Sequence, residues 1–209
     1  MEGGAPTRQQ STGLNPVTRP RPESFLRQTT WVGAGWVVGA CSVGAAGFEV
    51  VTPRLDDAQE LAWVHVRAWR EAYAGLLPER FYDEEARESR RVMWSGRLSE
   101  GESRERVLVA RREGRIVGFA VRGPAFEHQG HPPVRDEQLY ALYVLSDCYG
   151  QGVGQALLER ALGEERAQLW VAKANGRARR FYERNGFTSD GIEQVDPDLD
   201  GLVEIRMVR

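Results

Sequence analysis

Two cysteines in 209 residues, Cys41 and Cys148, are too few and too far apart for a disulfide framework or a metal set. A reducing, cytoplasmic setting is the expectation that follows. The three histidines, His65, His128 and His131, lack a metal-ligand spacing with carboxylates. His128 and His131 lie in a loop bearing Gly and Pro and are expected to be solvated rather than ligating, so no metal is expected. Neither sign of charge is in excess: 28 Lys and Arg stand against 30 Asp and Glu, a net charge of −2. That balance offers no basic footprint for nucleic acid. A long aliphatic run is missing too. Residues 31–48 carry no charge, but Gly and Ala dominate them and make a poor membrane span. Val38-Gly39-Ala40-Cys41 faintly resembles a lipoprotein cleavage site, but the apolar stretch before it is short and about thirty residues precede it, so a signal peptide is not expected. A membrane partner is not expected. No internal repeat is apparent.

What is present suits one domain with an extension. Residues 1–30 are rich in Pro, Arg, Gln, Ser and Thr without an apolar period and are expected to be disordered. Residues 1–47 read as an N-terminal extension, whether dispensable tail, hidden anchor or misassigned start, and 48–209 as the domain. Residues 48–52 predict a strand, and Asp56 a cap for a helix running to Tyr73. A charged helical stretch over 78–98 is expected on the surface. Residues 107–111 and 116–122, joined by Glu113-Gly114, predict a hairpin. A central strand follows over 138–145, a helix over 155–162 and a strand over 169–172. A helix then runs between the cap Asn175 and the stop Gly186, ahead of strands over 187–194 and 202–208. The turn between those last strands is Asp196-Pro197-Asp198-Leu199-Asp200-Gly201. This order predicts an α/β fold, a mixed sheet with helices on both faces.

Two motifs carry chemistry. Tyr149-Gly150-Gln151-Gly152-Val153-Gly154-Gln155 joins the central strand to a helix. Glycines at alternate positions let the backbone turn its N–H groups outward, and the helix adds its positive dipole end, a combination that holds an anion such as a pyrophosphate. Downstream, Asn175-Gly176-Arg177-Ala178-Arg179-Arg180-Phe181-Tyr182-Glu183-Arg184-Asn185-Gly186-Phe187 sets Ala178, Phe181 and Tyr182 on one inward stripe. Asn175 and Tyr182, seven apart, share a side.

Together, in this order and spacing, the two motifs resemble the acyl-CoA-binding half of the GNAT N-acetyltransferase superfamily. The stretch from Val66 to Pro78 is similar to the first helix and loop of many bacterial members, and the resemblance covers about residues 48–209. It implies the GNAT-like acyl-CoA N-acyltransferase fold and direct transfer of an acetyl group from acetyl-CoA to a primary amine in a ternary complex. It further implies that the backbone of Leu142, Tyr143 and Val144 binds the pantetheine arm. Residues 149–155 would hold the pyrophosphate, with Asn175 and Ala178 beside the arm. Tyr182 would be the acid that protonates the leaving thiolate. Tyr149 departs from the pattern, which more often has Arg or Gln there. Arg177, Arg179 and Arg180 could meet an outer phosphate or form a solvated face.

Glu137, just before the central strand, is the carboxylate best placed by sequence to serve as base, with Asp136, His128, His131 and Glu71 as alternatives; the amine could also arrive already neutral. Cys148 reads as a small loop residue, since direct transfer needs no covalent intermediate. A rim of Trp69, Tyr73, Glu71, Asp196, Asp198 and Asp200 would suit a cationic amine, small or on a peptide. A homodimer is left open. Two other readings stand beside this one, a non-catalytic acyl-CoA-binding sensor of the same fold and a Rossmann-type dinucleotide binder.

Overall fold

The computed structural model describes residues 47–209, so the extension expected over 1–47 lies, but for Gly47, outside the described residues. The chain runs β1 (Glu49–Val51), α1 (Ala58–Tyr73), α2 (Glu84–Ser99), α3 (Gly101–Glu105), β2 (Val107–Arg112), β3 (Arg115–Pro124) and β4 (Glu137–Val144). It continues with α4 (Val153–Leu162), β5 (Ala167–Ala172), α5 (Gly176–Arg184), β6 (Thr188–Asp196) and β7 (Leu202–Val208). The predicted order holds, with the one-turn-long α3 added. The helix expected to start at Asp56 begins at Ala58, after a 3₁₀ turn over Leu55–Asp57. Asp57 accepts the Arg54 N–H at 2.6 Å and pairs with Arg111 at 2.5 Å, tying the turn to β2.

The sheet order is β1-β2-β3-β4-β5-β7-β6, antiparallel everywhere except between β4 and β5. One parallel pair excludes the doubly wound sheet of a dinucleotide binder. Alternation along the strands feeds two cores. Val107, Val109, Phe119 and Val121 pack beneath α1 and α2, while Leu108, Ala110 and Ala120 pack beneath α4. Gly118 permits the tightest approach of β3 to β4: a Cβ there would lie 2.7 Å from the Tyr143 carbonyl oxygen. The charged α2 is not simply a surface helix. Ala86, Arg90, Trp94 and Leu98 recur at helical spacing and are buried against α1.

His65 on α1 sits inside this second core, its ring 5.2 to 5.9 Å from those of Trp69, Trp94, Phe119 and Tyr143. Burial first, and then the Arg90 charge, hold its pKa well below the ordinary 6.5. The folded protein therefore keeps His65 neutral where the unfolded chain protonates it. Stability is full above the unfolded value and falls as pH drops below it, by about 1.4 kcal/mol per pH unit until the lowered folded value is reached. We expect denaturant unfolding at pH 7.5 and 5.5 to show that extra loss in the native chain relative to His65→Leu. Parallel pH responses of the two proteins would refute it.

Candidate functional site

The parallel strands β4 and β5 pair only at Glu137↔Ala167, Gln138↔Gln168 and Leu139↔Leu169, and then part. β4 stays bonded to β3 up to Val144. Every second backbone group from Tyr140 onward therefore faces an open gap instead of a ladder. A cavity of about 420 Å³ fills this gap. Leu142, Tyr143 and Val144 line it, as do Tyr149, Gly150, Gly152, Val153, Gly154 and Gln155 at its mouth. Gly150 and Gly152 adopt φ of +73° and +83°, a left-handed region that L side chains avoid. The turn aims the N-terminus of α4 at the cavity, and the N–H groups of its first residues have no partner within a helix. Gln151 contributes only backbone there, because its side chain donates to the Asp147 carbonyl at 2.8 Å.

α5 forms the opposite wall. Asn175 caps it by accepting the Ala178 N–H at 3.0 Å, which leaves its amide nitrogen for a ligand. Ala178, Phe181 and Tyr182 follow along the cavity. Tyr182 is buried, and burial pushes its phenol well above the ordinary range, with Tyr143 adding to the shift. Arg177 stacks its guanidinium 3.5 Å over the Tyr149 ring and donates to its hydroxyl at 2.6 Å. The aromatic departure at the head of the loop thus brings a cation from α5 to the cavity mouth. Arg179 instead donates to the Lys173 carbonyl, and Arg180 does not line the cavity. Cys148 is buried with its sulfur 3.6 Å from Arg112.

The far end is aromatic. Trp69 and Tyr73 from α1 meet Tyr143, whose hydroxyl lies 3.2 Å from that of Tyr73, and Leu199 from the last turn closes over them. Burial raises both phenols above their usual range, and the nearby Glu204 charge adds to each.

The carboxylates expected here lie elsewhere. Glu137 faces Arg122 at 3.4 Å and does not line the cavity, nor does Asp136. Glu71 is held by Arg67 at 2.8 Å and by the Ser146 N–H at 2.7 Å. Asp196 folds back onto the N–H groups of Asp198 and Leu199, and Asp200 pairs with Arg80 at 2.5 Å. His128 is not solvated: it packs on Trp170 and approaches Glu204 to 3.8 Å, and His131 also packs on Trp170. Among the described residues, the carboxylate that lines the cavity is Glu204 on β7, which the sequence reading missed. The signal was its position: Ile205 and Met207 alternate with Glu204 and Arg206, so a charged face of β7 had to be covered. Donor atoms of His128, Asp196 and Glu204 lie within 4.8 Å of one another, a proximity that spacing along the chain did not reveal.

Residues 103–189 match the family described as acetyltransferase (GNAT) domain. The chain is 32% identical over 130 residues to the uncharacterized N-acetyltransferase YuaI of Bacillus subtilis (strain 168), covering 58% of this chain and 70% of the relative. It is 31% identical over 157 residues to the probable N-acetyltransferase Rv2775 of Mycobacterium tuberculosis, covering 70% of this chain and 83% of the relative. In fold it is similar to the PaiA N-acetyltransferase of Thermoplasma acidophilum, solved in complex with coenzyme A. That match has a TM-score of 0.60 at 20% identity and covers 78% of this chain and 98% of the other.

Proposed function

The chain belongs to the GNAT N-acetyltransferase superfamily and is an acetyl-transferring acyltransferase, and from that premise we propose that it moves the acetyl group of acetyl-CoA directly to a primary amine in a ternary complex. The observation that carries this is the gap between β4 and β5, which joins the glycine loop at one end to an aromatic chamber at the other. In this reading the pyrophosphate lies on the N–H groups of residues 150–155, with Arg177 supplying a cation beside Tyr149. The pantetheine arm takes the place of the missing ladder along Leu142, Tyr143 and Val144, flanked by Asn175 and Ala178. The coenzyme A complex of the Thermoplasma relative supports a coenzyme in this fold.

The thioester then reaches the level of Tyr143 and Tyr182. The acceptor amine enters between α1 and the turn joining β6 to β7. Its lone pair attacks the thioester carbonyl carbon, the C–N bond forms to give a tetrahedral adduct, and collapse of that adduct breaks the C–S bond. Tyr182, kept protonated by its burial, gives its proton to the departing sulfur. The open backbone groups of β4 polarise the carbonyl oxygen, as donors fixed before reaction do most effectively. Among the described residues no helix is long and apolar enough to cross a membrane.

The test is release of coenzyme A thiol from acetyl-CoA with short peptides, polyamines and aminoglycosides as acceptors, together with calorimetric binding of acetyl-CoA. Gly152→Val is the companion variant. A Cβ at Gly152 would meet no protein atom within 4 Å, so packing does not oppose it. The φ of +83° does, at roughly 1–2 kcal/mol, and the side chain would crowd a pyrophosphate. We expect acetyl-CoA affinity to fall about tenfold or more. An unchanged Kd in Gly152→Val would remove the loop from the donor site, and no thiol release with any amine would sink the acceptor class.

A further inference from the structure

Transfer to an amine needs a base, and every carboxylate that sequence reasoning offered for that role lies outside the cavity. Glu204 lies inside it. It stands on β7 opposite Ala172 of β5 and Gln194 of β6, and is only 5% exposed. Ile205 and Met207 join the core cluster that holds Tyr182 and Phe187, so strand alternation turns Glu204 to the opposite face of the sheet, where its charge acts on Tyr73 and Tyr143. Tyr182 stands on the α5 side of the same gap. A proton donor and a carboxylate thus flank the cavity from its two faces. The Gln194 amide donates to Glu204 Oε2 at 2.9 Å and fixes the carboxylate.

Resting on the acetyltransfer reading above, we propose that Glu204 is the base of the reaction and the anchor of a cationic amine, seated among Trp69, Tyr73 and Tyr143. An ammonium entering this chamber meets one carboxylate beside the rings of Tyr73 and Tyr143, while Trp69 already carries the Arg90 guanidinium at 4.8 Å. A carboxylate among aromatic rings is the combination that recognises organic cations. Glu204 takes one proton from the ammonium, and the freed lone pair attacks the thioester. The nitrogen of the tetrahedral adduct carries a second surplus proton. That proton restores Tyr182 after the phenol has protonated the thiolate. The sum is ammonium plus acetyl thioester giving acetamide, thiol and one proton. The remaining proton leaves Glu204 for solvent, and His128, whose Nε2 lies 3.8 Å from the carboxylate, offers a route.

The experiment uses the full chain and, as probe, whichever of the short peptides, polyamines and aminoglycosides is turned over fastest. The titratable or charged groups around Glu204 are His128, Asp196 of β6, Tyr73 of α1 and Tyr143 of β4, with Arg90 of α2 acting on Tyr143. For this reason kcat/KM is followed across pH rather than at one value. In Glu204→Gln, which keeps an oxygen for the Gln194 amide, we expect kcat/KM at pH 7 to fall roughly 10²-fold. The deficit should shrink as pH approaches the amine's own pKa, because a neutral amine needs no base. Acetyl-CoA Kd should stay within about twofold, which separates this outcome from failure of the donor site. Glu204→Asp, which keeps the charge, should lose less than Gln and keep the native pH profile.

A full rate in Glu204→Gln would overturn the proposal. So would a deficit that does not change with pH, or a matching loss in Glu137→Gln alone. Loss of native turnover on chelation and its return with zinc would assign His128, Asp196 and Glu204 to a metal, and would equally overturn it.

Discussion

Tyr182→Phe should lower kcat about 10³-fold, within the range by which a positioned acid accelerates proton transfer, while acetyl-CoA Kd stays within about twofold. The change removes one oxygen and keeps the ring. That ring makes edge contacts with Phe181 at 5.3 Å and with the core residue Phe187 at 5.8 Å, and Phe keeps both, so the variant should fold. What disappears is the proton donor at the cavity wall. Burial raises the Tyr182 pKa, and the neighbouring Tyr143 raises it further. The upward sign matters. The phenol remains protonated throughout the working range, so it is competent as an acid and should add no falling alkaline limb to the rate. A second readout isolates the step. With an acyl thioester whose thiol has a low pKa, the leaving group needs less help, and the defect of Tyr182→Phe should shrink. Native turnover in this variant, or a defect indifferent to the leaving thiol, would remove Tyr182 from the acid role.

The parts of the proposed donor site that were legible in the sequence are those fixed by short-range rules. Gly150 and Gly152 announce left-handed backbone before a helix, and both adopt it. Asn175 announces a cap, and its side chain makes the capping bond. Phe181 and Tyr182 follow from helical spacing. The proposed acceptor half depends on pairing between distant strands, and there local reading placed carboxylates that the fold turns elsewhere. Asp196, Asp198 and Asp200 looked like an acidic rim because turns favour Asp. Yet Asp196 serves its own turn, and Asp200 reaches Arg80 across the fold. Glu137 precedes the right strand but faces the wrong way, toward Arg122.

Glu204 has no local signature beyond a charge in an alternating strand. It enters the cavity only because β7 inserts between β5 and β6 and because β4 leaves β5 after Leu139. Tyr149 shows a milder case. Its meaning lies in Arg177, 28 residues on, whose guanidinium it carries.

Trp94→Ala should destabilise the fold by about 3–5 kcal/mol, the usual cost of removing a fully buried tryptophan side chain. Charge along α2 conceals this residue, but its indole is fully buried, 5.2 Å from the Phe119 ring and 5.9 Å from that of His65. Those two rings in turn pack on Tyr143, at 5.6 and 5.9 Å. Loss of the indole would open a void directly behind the strand whose free edge lines the cavity. Among the described residues the Trp94 Nε1–H finds no hydrogen-bond partner, and a buried unsatisfied donor carries a penalty of roughly 1–3 kcal/mol. Both substitutions remove that donor, but Trp94→Phe keeps a ring in the space, so it should cost less than about half of what Ala costs.

The ordering of native, Phe and Ala is read from urea unfolding at pH 7.5, where His65 is neutral in both states and adds no pH term. Because Tyr143 would shift with its support, Trp94→Ala should also weaken acetyl-CoA binding even at temperatures where the variant is fully folded. Equal stabilities for Phe and Ala would show that a ring retained at this position adds nothing to the packing beneath α1 and α2. A folded Trp94→Ala with native acetyl-CoA affinity would show that the core beneath α1 and α2 does not hold the cavity wall in position.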